Sequence, residues 1–139
     1  MKTLYKFRLL ALCFFMGTAL GIAQDADMDW SAESYIVSID TQEVAIASNL
    51  DKASSTFTWE QISNLSTRTI QYTVTTSSGQ WDVQQQTGQL DYTLTSDGDS
   101  ATLSVLGTSE GITMTFTVLD GNGNAFKTFE FDIDSFSNL

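Results

Sequence analysis

Apolar and polar residues alternate with a period of two along most of this chain. Ile112, Met114, Phe116 and Val118 alternate with Thr113, Thr115 and Thr117. Leu90, Tyr92 and Leu94 alternate with Asp91, Thr93 and Thr95, and Ala101, Leu103 and Val105 with Thr102 and Ser104. Ile70, Tyr72 and Val74 alternate with Gln71, Thr73 and Thr75, and Phe129, Phe131 and Ile133 with Glu130 and Asp132. Shorter runs occupy 35–39, 44–47, 57–59 and 81–83. Period two places one face of a strand on a core and the other in water, so about nine candidate strands follow. No stretch has convincing helical spacing.

Turn residues separate the runs. Asp97-Gly98, Glu110-Gly111 and Asp120-Gly121-Asn122-Gly123 each stand between two alternating segments and read as hairpin connections. The last four strands are therefore expected as a meander. Short, evenly spaced strands with such turns predict an all-β antiparallel fold. The expected architecture is an immunoglobulin-like β-sandwich, with an eight-stranded up-and-down barrel as the alternative. Trp59, Tyr72, Leu94, Leu103, Met114, Phe116, Val118 and Phe131 share the apolar phase of their strands and form the expected core.

The first residues do not fit this pattern. Lys2, Lys6 and Arg8 precede an apolar stretch from Leu9 to Leu20, and Gly21 and Ala23 are small residues before Gln24. That is the three-part layout of a secretory signal peptide over 1–23, too short in its apolar part for a membrane span. Residues 24–33 then read as a loose acidic leader and 34–139 as a single domain. The expected location is periplasmic or extracellular. Cys13 falls inside the signal, at a position unsuited to lipid attachment.

A cut before Gln24 leaves 116 residues, 139 less the 23 of the signal, enough for one domain with a real core. That remainder holds three basic and seventeen acidic residues, a formal net charge of −14. Such a charge repels nucleic acid, whose binding rests on Lys and Arg at phosphates, and it repels anionic membranes. The acids otherwise read as a solubilising surface.

Candidate chemistry is sparse. The chain has no His and its only Cys is Cys13, which excludes Ser/His/Asp and Cys/His catalysis and zinc ligation. No carboxylate pair is marked for glycoside cleavage and no Gly-rich phosphate loop is present, so neither an enzyme nor a cofactor is expected. Asp120, Asn122 and Asn124 have calcium-loop spacing, but Ala125 and Phe131 stand where such a loop needs Gly and Glu; a hairpin turn explains them. Trp59 and Trp81 lie on the apolar phase, whereas Trp30 in the leader could be exposed. The Thr-x-Thr ladders read as outward strand residues rather than an ice-binding array, since no fixed repeat stacks them. Asn64-Leu65-Ser66 is a glycosylation sequon, and Asp99-Ser100-Ala101 resembles a bacterial O-glycosylation acceptor. The chain also lacks Pro, a residue that blunts sheet edges.

From Ile70 to Phe131 the layout resembles the small immunoglobulin-like chaperones of curli systems. Tyr72-Thr73-Val74 fills the place of that family's central strand. Ser78-Gly79 begins a linker to Gln84-Gln85-Gln86 and Gly88, and Asp120-Gly121-Asn122-Gly123 closes the final hairpin. The resemblance implies a non-catalytic protein that binds an amyloid-type client along a strand edge or outer face and blocks cross-β stacking. Trp81, Val83, Gln84, Gln85 and Gln86 are then the expected binding residues. A carbohydrate-binding or adhesive surface module is the alternative.

Overall fold

The computed structural model describes residues 23–139. The expected signal lies outside them except for Ala23. The elements are β1 (Ala23–Asp25), β2 (Trp30–Ile39), β3 (Gln42–Ala53), β4 (Thr56–Ile62), β5 (Thr67–Asp82), β6 (Thr87–Ser96), β7 (Asp99–Thr108), β8 (Gly111–Leu119), β9 (Ala125–Ile133) and β10 (Ser135–Asn138).

All pairings are antiparallel. Each strand from β2 to β9 pairs with the next in sequence, and β2 pairs with β9 through Val37 and Phe131. This closes an eight-stranded up-and-down barrel. The sandwich expectation is thereby corrected. A sandwich needs at least one long connection between its sheets. Here every connection within the barrel is two to five residues, so each strand lies beside its successor until the first and last meet. Asp40 and Thr41 turn β2 into β3 at φ 47° and 78°, and Asp97-Gly98 turns β6 into β7 at φ 47° and 89°. Such left-handed pairs match the twist of the flanking strands.

The inward phase fills the barrel. Trp59 meets Phe131, Phe129 and Phe116 edge-on at 5.0, 5.0 and 6.1 Å, and Phe116 also contacts Phe57 and Tyr72 at 5.8 and 5.3 Å. Leu50, Leu90, Leu94, Leu103 and Met114 complete the core. Of the expected core, Tyr72 and Val118 are half-buried at its margin and the rest are fully buried. An eight-stranded barrel is just wide enough for such a filling. Buried polar groups inside it are paired at Trp59 and Ser48, where Trp59 Nε1 donates to Ser48 Oγ at 3.0 Å and Ser48 Oγ donates to the Ile46 carbonyl at 3.3 Å. Trp81 Nε1 and Asn138 Oδ1, in contrast, are buried without a partner.

The stretch expected as a loose leader is built into the floor of the barrel. β1 pairs with β5, and Trp30 to Glu33 pair with both β3 and β10. Trp30 is fully buried rather than exposed, and stacks on Phe136 at 5.8 Å. Buried Lys52 anchors the intervening turn by donating to the Asp27 carbonyl and, at 3.3 Å, to Asp29 Oδ1. The Ser54 amide bonds the same carboxylate at 2.8 Å. That amide, and then Lys52, hold the Asp29 carboxyl below its ordinary range.

Candidate functional site

The expected binding residues sit at the end of the β5–β6 hairpin: Trp81 is in the last turn-ward stretch of β5, where β1 pairs with it, and Val83 to Gln86 form the turn. Trp81 is fully buried, and its ring lies 5.1 Å from that of Phe136. The ring covers Gly107, where a Cβ would stand 2.5 Å from Trp81 Cη2. Val83 is half-buried against the core. Gln84 and Gln85 are exposed, but both backbone amides bond to Asp82 Oδ1, at 3.0 and 2.9 Å. Gln86 adopts φ 52° and its Nε2 donates to the Phe136 carbonyl at 3.1 Å. The structure thus joins Trp81 and Gln86 at Phe136 and gives the glutamine run a turn-forming role.

The calcium-like loop closes on itself. Asp120 Oδ1 accepts from the Asn122 and Asn124 amides, each at 2.9 Å. Among the described residues no group of three or more His, Cys, Asp or Glu side chains could hold a metal. All three tryptophans are buried, so none forms a sugar-stacking platform. The threonine ladders face outward in register, with Thr93, Thr102 and Thr117 side by side, but on a curved wall.

A feature of β5 does leave backbone available. β5 has sixteen residues because it serves two neighbours in succession: β4 pairs with Thr67–Thr73 and β6 with Thr73–Asp82. A bulge between Val74 and Thr76 bends it where the neighbours change over. The β4–β5 hairpin therefore projects past the end of β6 at Ser96.

The hydrogen-bond phase of the hairpin is fixed at both ends. The Val74 amide donates to the Ser55 carbonyl at 2.7 Å, and the Ser63 amide to the Ser66 carbonyl at 3.0 Å. Bonded pairs alternate in an antiparallel ladder, so Tyr72, Ile70 and Arg68 turn their backbone groups toward β4. Thr67, Thr69 and Gln71 turn theirs away. Thr73, next in that phase, meets Thr95 of β6. Above it, no strand among the described residues meets the N–H and C=O groups of Thr67, Thr69 and Gln71.

This open edge is β-prone and uncharged except for Arg68. The hairpin tip beside it exposes Ile62 and Leu65, the latter at 97%. A hollow of about 330 Å³ lies in the corner between Gln71–Thr73 and the β6 end. Sequence alone did not reveal the edge, because it arises from stagger between strands. No local signal marked it: the alternation of 70–75 and the run at 81–83 read as two strands joined through Ser78-Gly79.

The chain matches no protein-family model, no curated protein and no solved structure.

Proposed function

We propose that this is an exported, non-catalytic binding protein that holds a β-rich client of the amyloid-subunit type by strand addition. The observation that carries this reading is the unpaired edge at Thr67, Thr69 and Gln71. An exposed edge offers a row of donors and acceptors to an incoming strand, which gains main-chain hydrogen bonds there. A client strand capped in this way cannot template the next layer of a cross-β stack. The edge itself carries no acid, while acids elsewhere disfavour acidic segments and favour uncharged or basic ones.

The test is fibre growth of a Gln/Asn-rich amyloid repeat peptide, followed by dye fluorescence, at a small molar fraction of this protein. The native protein should lengthen the lag, and Thr69→Pro should lengthen it less. A lag that no client peptide shows to be altered would sink the reading. Specific retention on a glycan array would then favour the carbohydrate-binding alternative.

A further inference from the structure

We propose that β1 is a displaceable strap over a second docking edge, on the lower half of β5, and that an uncharged or basic client strand takes its place. This rests on the strand-addition reading above. The lower half of β5 gives one side to β6 from Thr76 to Asp82. On the other side the β3–β4 turn reaches only as far as Val74, through the bond from its amide to Ser55. β1 covers Gln80, Trp81 and Asp82. Between them, among the described residues, no strand pairs with Thr75–Gly79 on that side. The edge is thus one continuous stretch, of which β1 occupies the far end. That β1 lies there at all shows that the edge accepts an antiparallel strand.

β1 is built to lift without unfolding the barrel. It pairs with β5 through three residues, of which Gln24 and Asp25 remain after the expected cut, and with no other strand among the described residues. The turn that follows is anchored independently. The Tyr92 hydroxyl donates to the Ala26 carbonyl at 3.0 Å, Lys52 holds the Asp27 carbonyl, and Asp29 bonds Lys52 and Ser54. These bonds make a hinge directly beside the strap. The surroundings of the strap are acidic: Asp25 and Asp27 lie at its end, and Asp82 ends the stretch of β5 that it covers. An incoming strand without acids suits that acidic surround and can extend along Thr75–Gly79, which β1 does not reach.

The test locks the strap. Asp25 and Gln80 are cross-strand partners, at a separation suited to a disulfide. Native Cys13 belongs to the expected signal, so the mature double variant Asp25→Cys/Gln80→Cys has no competing thiol. Amide hydrogen exchange is measured with and without the Gln/Asn-rich repeat peptide, on the oxidised and the reduced protein, with circular dichroism confirming the fold of each. With peptide at about ten times its Kd, exchange over Gln80–Asp82 should slow about tenfold in the reduced protein and stay unchanged in the oxidised one. Equal protection in both states, or none in either while fibre delay persists, would overturn the strap and leave the upper edge in place. Loss of both fibre delay and protection would remove the strand-addition reading, and this inference with it.

Discussion

Trp30 and Tyr92 join the start of the barrel to its far wall. Trp30 Nε1 donates to the Tyr92 hydroxyl at 3.0 Å, and that hydroxyl donates onward to the Ala26 carbonyl at 3.0 Å. The two residues are 62 positions apart, on β2 and β6. One phenol thereby satisfies a buried indole donor and a buried carbonyl on the floor. Tyr92→Phe keeps the ring and leaves both groups without their partner. We expect a loss of about 1–3 kcal/mol in urea unfolding, the cost of stranded buried polar groups. A loss below about 0.5 kcal/mol would show that the floor is not closed by this chain of bonds.

The same hydroxyl sets the alkaline limit. Burial pushes its pKa up to about 12, from 10.0 in the unfolded chain. The unfolded state therefore loses its proton first. The stability tied to Tyr92 is complete below pH 10 and is lost as pH rises toward 12. Burial, and then Asp99, also raise the Tyr72 pKa, so Tyr92→Phe should flatten the alkaline fall in melting temperature without abolishing it. Identical slopes for variant and native protein between pH 10 and 12 would contradict the assignment.

Phe116 is the hub of the core, with rings of Phe57, Trp59, Tyr72 and Phe129 between 5.3 and 6.1 Å away. Phe116→Ala should cost about 3–5 kcal/mol through lost transfer energy and a cavity that close-packed rings cannot collapse into. Phe126, 74% exposed beyond the β8–β9 turn, is the control. Phe126→Ala should change stability by less than about 0.5 kcal/mol. Similar losses at the two positions would mean that the barrel interior is not the stabilising core.

These residues also show what the sequence disclosed and what it withheld. Alternation placed Phe116, Met114 and Leu103 inside, because each strand has one wet and one dry face. Asp97-Gly98 and Asp120–Gly123 marked their turns, because few backbones besides theirs suit left-handed or side-chain-closed loops. Sandwich and barrel share these signals. The distinction lies in the Val37–Phe131 pairing, between residues far apart in the chain, where a single sequence carries no record of register. The floor was hidden for another reason. Ala26, Met28, Trp30 and Ala32 alternate with Asp27, Asp29 and Ser31, but the density of acids gave the appearance of a solvated leader. At the Thr75 bulge the inward phase passes from Tyr72 and Val74 to Trp81, a shift that no local propensity announces.

Asp120 offers a test of loop chemistry. Its Oδ1 bonds two amides of its own turn, which satisfies the loop without an ion. Melting temperature should therefore be the same in millimolar calcium and in excess chelator. Asp120→Ala should cost about 1 kcal/mol in either condition, the typical worth of a side-chain cap on backbone donors. A large calcium-dependent rise in melting temperature, abolished by Asp120→Ala, would instead make the loop an ion site.

The open edge on β5 makes a prediction that needs no client. Proline removes a backbone donor, so its cost depends on where that donor points. Ile70 turns its N–H toward Trp59 of β4, whereas Thr69, one residue earlier, turns its N–H off the ladder. Thr69→Pro should then lower stability by less than about 1 kcal/mol, as at an exposed edge. Ile70→Pro breaks a ladder bond beside the buried Trp59 indole and forces the ring against β4; a loss of about 3 kcal/mol or more is expected. Both are read by urea unfolding, with Thr69→Ala and Ile70→Ala as controls for the lost side chains. The inequality is the informative quantity, since the two sites are adjacent on one strand of one hairpin and the alanine variants account for the deeper Ile70 side chain. If Thr69→Pro proved as costly as Ile70→Pro, the Thr69 amide would have a partner in the folded protein, and the edge would already be occupied.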